Sequence, residues 1–224
     1  MSLARVLETE VMDTAAEAAD YDAMDHRAVN RVFVDDLLAI IGPAIHAGEL
    51  LDLGTGTALI PIELAGRVAG LKIRAVDLAQ HMLVRAAENV ARAALQTSIV
   101  LEQIDAKGLP YHEGQFAVVM SNSIVHHIPQ PSAVIAEAVR VVRPGGWLFF
   151  RDLLRPHDRE QLQQLVDQYA AGANEHQRQM FADSLHAALT LDEVRAVVGE
   201  YGFAPETVQA TSDRHWTWAG RKPG

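Results

Sequence analysis

The sequence predicts an α/β fold with a doubly wound, mostly parallel sheet. Short apolar strands alternate with amphipathic helices through five cycles, a pattern typical of parallel strands joined by helical crossovers. Two further apolar segments near the C-terminus predict an antiparallel hairpin at the sheet edge, which gives seven strands and an antiparallel last strand. The chain has 224 residues and 49% hydrophobic residues, enough for one sizeable core, so we expect one domain.

The predicted elements begin with a helix within residues 25–46, whose apolar stripe is formed by Val29, Val32, Phe33, Leu37, Ile40 and Ile41. The five parallel strands are expected at residues 49–53, 72–76, 98–104, 115–120 and 147–151. Helices are expected at residues 58–68, 79–93, 132–142, 157–171 and 175–187. Thr190 and Glu193 predict a capping box at the start of a helix that reaches residue 201. The hairpin strands follow at residues 207–211 and 215–220.

Charge and composition argue against several classes of function. The formal net charge of −10 opposes binding to a phosphate backbone, so nucleic acid is not expected as a partner. The absence of cysteine excludes disulfides, thiolate metal sites, iron–sulfur clusters and a cysteine nucleophile. The N-terminus lacks the apolar segment of a secretory signal, and no apolar run reaches the roughly 18 residues of a membrane span. We therefore expect a cytoplasmic protein without a membrane partner, either a monomer or a homodimer.

The turn after the first strand predicts a ligand site. Its glycines, Gly54 and Gly56, let the backbone approach a ligand closely, and the following helix presents free N–H groups. A dinucleotide fingerprint would place a third glycine three residues after Gly56, but this position is Leu59. Asp52 precedes Gly54 by two residues, which the dinucleotide pattern does not require. A tight turn without a ligand is the alternative.

Two further acids are expected at the same edge of the sheet. Asp77 ends the second strand, where a carboxylate can accept hydrogen bonds from both hydroxyls of a ribose. The alternative for Asp77 is a helix N-cap. Asp105 ends the third strand. Because ligands bind at the carboxyl ends of strands in open α/β sheets, Asp52, Asp77 and Asp105 together are more specific than any one of them.

These segments resemble a known family. Asp52-Leu53-Gly54-Thr55-Gly56 resembles the first motif of class I S-adenosylmethionine-dependent methyltransferases, with Ala58 in place of that motif's last glycine. Residues 76–83 resemble the second motif, residues 116–128 the fourth strand and its loop, and residues 140–148 the turn before the fifth strand. The resemblance implies a Rossmann-like fold with helical cap segments, S-adenosylmethionine as cofactor, and methyl transfer to a small-molecule substrate that the sequence does not identify.

The resemblance also implies roles for individual residues. Asp77 would bind ribose, Asp105 the adenine amino group, and Tyr21 would fold over the methionine end of the cofactor. The alternatives are a loop aspartate for Asp105 and a surface aromatic for Tyr21. The expected cofactor-binding residues are Tyr21, Asp52, Gly54, Thr55, Gly56, Asp77, Leu78, Met82, Asp105, Ala106, Ser121 and Asn122. One methyltransferase domain is expected to comprise an N-terminal helical cap (1–47), a cofactor-binding core (48–152), and substrate-side helices with the C-terminal hairpin (153–224).

A general base is needed only where the acceptor must lose a proton. The candidates are His126, His127, Asp152 and His157, and the sequence does not choose among them. Adjacent residues of a helix or strand point apart, so no metal site is predicted at the two neighbouring histidines. Arg155 either clamps a substrate anion or forms an ion pair with an aspartate that fixes its loop.

Two other functions remain open at this point. An NAD(P)-dependent oxidoreductase would use the same glycine turn, although the residue in place of the third glycine argues against it. A non-catalytic S-adenosylmethionine-binding module would keep the fold and the acids without turnover.

Overall fold

The computed structural model describes residues 3–8, 13–23 and 26–224. In that part of the chain, the sheet has seven strands: β1 (Leu50–Leu53), β2 (Ile73–Asp77), β3 (Ile99–Gln103), β4 (Phe116–Asn122), β5 (Val142–Leu153), β6 (Val208–Ala210) and β7 (His215–Arg221). Their spatial order is β3-β2-β1-β4-β5-β7-β6, and β7 runs antiparallel to both of its neighbours. The predicted mostly parallel, seven-stranded sheet with an antiparallel last strand is confirmed.

The described helices are α1 (Ala15–Ala23), α2 (Arg27–Ile41), α3 (Leu59–Arg67), α4 (Gln80–Arg92), α5 (Pro131–Val141), α6 (Arg159–Tyr169), α7 (Glu175–Ala187) and α8 (Leu191–Gly199). Helices α2, α3 and α4 pack on one face of the sheet, and α5 and α8 pack on the other. The sheet is therefore doubly wound, as predicted. The predicted capping box is also present, because the Thr190 hydroxyl accepts from the Glu193 amide and the Glu193 carboxylate accepts from the Thr190 amide.

The first long helix is present as predicted, but only three of the six apolar residues that indicated it are buried. Phe33, Leu37 and Ile41 are buried against the sheet. The other three are exposed on the neighbouring face of α2, with exposed fractions of 45% for Val29, 53% for Val32 and 42% for Ile40. An α-helix turns 100° per residue, so Val29, Val32 and Ile40 lie to one side of the face that packs on the sheet. Val34 lies on that face and is buried with Phe33, Leu37 and Ile41.

The fifth strand begins earlier than predicted. The strand was expected at residues 147–151, after a turn within residues 140–148, but β5 starts at Val142, and its pairing with β4 shifts register between Phe116 and Val118. The Gly145 amide donates to the Lys222 carbonyl, and the Lys222 amide donates to the Gly146 carbonyl, each at 2.9 Å. These hydrogen bonds pair residues 145 and 146 with Lys222, which follows β7, and so extend β5 towards its N-terminal end.

A short N-terminal segment, residues 3–8, crosses the C-terminal half of the chain. We call it the N-terminal strap. Its backbone donates from Leu3 to the His157 carbonyl at 2.8 Å and from Val6 to the His186 carbonyl at 3.2 Å. The strap is thereby fixed beside α7. No helix in the described ranges is long and apolar enough to cross a membrane.

Candidate functional site

The main cavity of the described structure opens at the carboxyl ends of β1 to β4. Parallel strands end at the same edge of a sheet, so the segments that follow them converge there. The residues that line it are Tyr21, Gly54, Gly56, Asp77, Leu78, Ala79, Met82, Ile104, Asp105, Ala106, Lys107, Asn122, Ser123, Ile124, His127 and Ile128. Nine of the twelve residues predicted to bind the cofactor lie in this lining.

A smaller cavity adjoins the first, since Tyr21, Gly54 and Asn122 line both. The predicted residues Asp52 and Thr55 line this smaller cavity. Its wall also contains Leu59, the residue in place of a third glycine, and Asn30, Thr57 and Ile60, which sequence reasoning did not single out. The two cavities together form one elongated site with a narrow end beside Asp52.

Both glycines of the turn have backbone conformations that favour glycine, with φ of +69° at Gly54 and +54° at Gly56. A Cβ at Gly54 would lie 1.9 Å from Cγ2 of Ile124, so no larger residue fits there. A Cβ at Gly56 would face Tyr21 at 3.8 Å across the cavity. Ala58 also has a positive φ of 63°, which explains why the family motif usually has glycine at this position.

Asp77 is fixed by the backbone of the glycine turn. Its Oδ2 accepts from the Gly56 amide at 2.7 Å, and its Oδ1 accepts from the Ala79 amide at 2.9 Å. Burial raises the pKa of Asp77, while these amide hydrogen bonds act in the opposite direction. Each carboxylate oxygen has about two acceptor positions, so both can accept a further hydroxyl hydrogen. The arrangement fits a vicinal diol such as ribose.

Among the three acids of the site, Asp52 has the pKa that is shifted most. Its side chain is only 3% exposed. Burial raises the pKa of Asp52 to about 7, and the negative charge of Asp77 adds to this effect. The nearby Thr57 hydroxyl is buried and has no hydrogen-bond partner among the described residues. A buried acid and an unpartnered hydroxyl fit a polar, cationic group such as the ammonium of a bound amino acid.

Asp105 lies at the opposite, open end of the site. Its side chain is 43% exposed, and Oδ1 accepts from the Lys107 backbone amide at 2.9 Å and faces Lys107 Nζ at 3.0 Å. Ala106, Leu78 and Met82 supply apolar surface beside it. This combination of apolar walls and a polar rim fits a planar heterocycle.

Tyr21 reaches the site from α1 and borders both cavities. Helix α1 is held in place by Asp22, whose Oδ1 accepts from Asn89 Nδ2 of α4 at 2.7 Å. Ser121 is the one predicted cofactor-binding residue that lines neither cavity. Its hydroxyl donates to the Leu53 carbonyl at 2.9 Å and joins β4 to β1.

The four candidate bases lie in three different environments. His126 and Asp152 are buried, and His126 Nδ1 is 2.5 Å from Asp152 Oδ1. Burial favours the neutral carboxyl, but the charge and hydrogen bond of His126 bring the pKa of Asp152 below its ordinary value. Only His127 lines the main cavity. The His157 side chain is 75% exposed and lines neither cavity.

Glu8 of the N-terminal strap also belongs to this region, and sequence reasoning missed it. Its Oε1 is 3.0 Å from Nδ1 of His127 and 3.5 Å from Nε2 of His126. The Ser184 hydroxyl donates to the other carboxylate oxygen of Glu8 at 3.1 Å. No motif could identify Glu8, because its position depends on how the strap crosses the folded domain.

Arg155 lines neither cavity. It donates to Glu193 Oε1 at 2.5 Å and to the Ala188 carbonyl at 3.1 Å. Its partner is thus a glutamate rather than the expected aspartate, and the contact connects the loop after β5 to the first turn of α8.

Comparison with known proteins agrees with this geometry. Residues 51–150 match the family model of a methyltransferase domain. A 27-O-demethylrifamycin SV methyltransferase from Amycolatopsis mediterranei is 29% identical over 84% of this chain and 66% of its own length. A malonyl-acyl-carrier-protein O-methyltransferase from Geobacter sulfurreducens is 32% identical over 83% of this chain and 66% of its own length. The chain therefore spans slightly less than two thirds of these two relatives.

Solved structures share the fold at low sequence identity. A methyltransferase dependent on S-adenosylmethionine from Aquifex aeolicus superposes with a TM-score of 0.66 and 14% identity, over 93% of this chain and 98% of that one. A 4+2 cyclase superposes with a TM-score of 0.59 and 18% identity, over 99% of this chain and 89% of that one. The motif residues and the cavity they line are thus similar to those of class I S-adenosylmethionine-dependent methyltransferases, residues 51–150 match a methyltransferase domain, and the fold is shared with the solved structures.

Proposed function

We propose that this protein transfers the methyl group of S-adenosylmethionine to a small-molecule acceptor. The observation that carries the proposal is the distribution of Asp52, Asp77 and Asp105 along one elongated site. Each acid has a different environment, and each environment suits a different part of the same cofactor. A small acceptor is supported by the relative from Amycolatopsis mediterranei, which is named as a methyltransferase of 27-O-demethylrifamycin SV.

The residues present fit the cofactor from end to end. Asp77 would accept the ribose hydroxyls, and Asp105 with Ala106 would border adenine at the open end. Asp52 would face the methionine ammonium in the smaller cavity, where its negative charge lowers the cost of burying a cation. When bound, the cofactor supplies a sulfonium-activated methyl group, and the protein supplies position and electrostatics.

We further propose that the acceptor lies beside His127. Of the four candidate bases, His127 is the one that lines the main cavity. The wall around it is formed by Ile124 and Ile128, which suits an apolar acceptor that carries one reactive polar group. His127 would assist removal of the acceptor's proton, while His126 and Asp152 stay buried behind it.

The test is formation of S-adenosylhomocysteine by the purified protein with a panel of phenols, aliphatic alcohols, carboxylic acids, amines and thiols. We expect acceptor-dependent product with at least one class, and a loss of at least tenfold in the His127→Ala variant at unchanged cofactor affinity. Cofactor binding without turnover on the whole panel would contradict methyl transfer and favour a binding module.

Two broader expectations belong to the same proposal. The cap (residues 1–47), the cofactor-binding core (residues 48–152) and the substrate-side part (residues 153–224) would work as one methyltransferase domain, which the continuous seven-stranded sheet supports. The proposed location is the cytoplasm, where the cofactor and small metabolites are present. Cell fractionation would test the location, and limited proteolysis would test whether the three parts unfold together.

A further inference from the structure

Two neighbouring histidines and one glutamate come together beside the main cavity. His126 and His127 lie in a 3-10 turn at residues 125–127, and their ring centroids are only 4.0 Å apart with an interplanar angle of 36°. The sequence-based expectation that the two side chains point apart assumed a helix or a strand. In the tight turn the rings face the same side, and Glu8 of the strap approaches both.

The donor atoms of these three residues have separations suited to one metal ion. Glu8 Oε1 is 3.0 Å from His127 Nδ1 and 3.5 Å from His126 Nε2, and all three ligand atoms lie within 4.8 Å of one another. Nitrogen and oxygen ligands bind Zn²⁺ at about 2.0–2.2 Å, so two ligands of one ion are separated by roughly 3–3.5 Å. The distances from Glu8 Oε1 to His127 Nδ1 and to His126 Nε2 are both within this range.

Two of the donor atoms have no other partner. Glu8 Oε1 and His127 Nδ1 are both buried, and neither makes a hydrogen bond of acceptable geometry with any described residue, although they are 3.0 Å apart. The other oxygen of Glu8 accepts from the Ser184 hydroxyl, which fixes the carboxylate and leaves Oε1 directed at the histidines. Two buried polar atoms that meet chiefly each other fit a cation placed between them.

The surroundings of His126 are those of a metal-binding histidine. Asp152 Oδ1 lies 2.5 Å from His126 Nδ1; in the neutral ring that binds a metal ion, this contact would hold the proton on Nδ1 and leave the lone pair of Nε2 towards Glu8. Asp152 is itself held, since its Oδ2 accepts from the Val125 amide at 2.6 Å. The nearby Arg5 guanidinium is occupied by carbonyl oxygens, including those of Ala187 and Ile128.

We propose that Glu8, His126 and His127 bind one divalent transition-metal ion. Two imidazoles and one carboxylate suit Zn²⁺, Fe²⁺, Co²⁺ or Ni²⁺ better than Mg²⁺ or Ca²⁺, which prefer oxygen ligands. Three protein ligands leave a coordination position for an exogenous group, as in catalytic rather than structural sites. Because His127 also lines the main cavity, the ion would lie next to the proposed acceptor region and would replace His127 as the group that favours loss of the acceptor's proton; this last point alone rests on the proposed function.

The proposal also gives the strap a function. Glu8 is the one ligand contributed by the strap, so the ion would join residues 3–8 to the loop after β4. Metal binding should therefore stabilise the folded protein by mass action.

The experiment uses the full chain, stripped with a chelator, dialysed and titrated with Co²⁺ and Zn²⁺. The readouts are calorimetric stoichiometry, the visible absorption of bound Co²⁺ and the shift in the unfolding temperature. We expect one ion per chain, and at least tenfold weaker binding in Glu8→Gln and in His127→Ala. Asp152→Asn removes the group that orients His126 and should weaken binding by roughly 10- to 100-fold. The matched control is His176→Ala, which removes an exposed histidine of α7 and should bind as the wild type does.

Binding that is absent in the wild type, or equal in Glu8→Gln, His127→Ala and the control, would overturn the proposal and leave an ion-pair network only. Calorimetry of S-adenosylmethionine on the same samples checks that each variant is folded. It also separates a failure of the metal site from a failure of the proposed function, because neither readout needs an acceptor.

Discussion

Replacement of Asp52 by asparagine should stabilise the protein and weaken its cofactor site. The Asp52 side chain is 3% exposed, and its pKa is raised from 3.8 to about 7, chiefly by burial. Asparagine has nearly the same shape but no charge to bury. A buried ionisable group of this kind is a property of functional sites rather than of stable cores.

The magnitude follows from the two pKa values. Above pH 3.8 the unfolded chain releases the Asp52 proton, while the folded chain keeps it until about pH 7. The folded state therefore binds more protons between these values, and the stability of the wild type relative to the variant falls as the pH rises. One pKa unit corresponds to about 1.4 kcal/mol, so the full difference approaches about 4 kcal/mol. It should grow by about 2 kcal/mol between pH 5 and 7, and by less than about 0.5 kcal/mol between pH 7 and 9.

The assay is urea denaturation of the wild type and Asp52→Asn at pH 5, 6, 7, 8 and 9. Only the difference between the two proteins is used, so that the titration of all other groups cancels. We expect the difference to rise and then level off near pH 7, with cofactor affinity at pH 8 at least tenfold weaker in the variant. A stability difference that is independent of pH would refute the account of Asp52 as a buried acid.

Three further substitutions have defined outcomes. Asp77→Ala removes the acceptor of two ribose hydroxyls and should weaken calorimetric binding of S-adenosylmethionine by about 3 kcal/mol; an unchanged affinity would mean that Asp77 does not bind ribose. Gly54→Ala should lower the free energy of unfolding by more than about 2 kcal/mol, because its Cβ would lie 1.9 Å from Ile124. Gly66→Ala in α3 is its matched control, since a Cβ there meets open space, and should raise stability by up to about 1 kcal/mol. Equal effects of the two glycine substitutions would argue against the close packing of the turn.

Much of the fold could be predicted from local sequence patterns. The strands and helices lie within a few residues of their expected positions because apolar periodicity, the capping box at Thr190 and the glycine turns are local signals. The exceptions depend on distant partners. The extension of β5 needs the chain after β7, and the exposed face of α2 depends on which neighbours cover the helix.

The residues of the site also fall into those that local sequence patterns predict and those that depend on distant contacts. Asp77 and Asp105 could be placed at one edge of the sheet because the carboxyl ends of parallel strands converge. Ser121 could not be assigned from sequence, since the direction of its hydroxyl depends on the β1 carbonyl beside it. Glu8 gives no signal at all, because only the folded path of the strap brings it to the histidines.

The elongated cavity should bind S-adenosylmethionine and no dinucleotide. The most direct test is calorimetric titration of the wild-type protein with S-adenosylmethionine, S-adenosylhomocysteine, NADH and NADPH under one set of conditions. We expect one-to-one binding of the first two ligands and no binding of the dinucleotides. A dinucleotide that binds while S-adenosylmethionine gives no heat and no shift in the unfolding temperature would contradict the account.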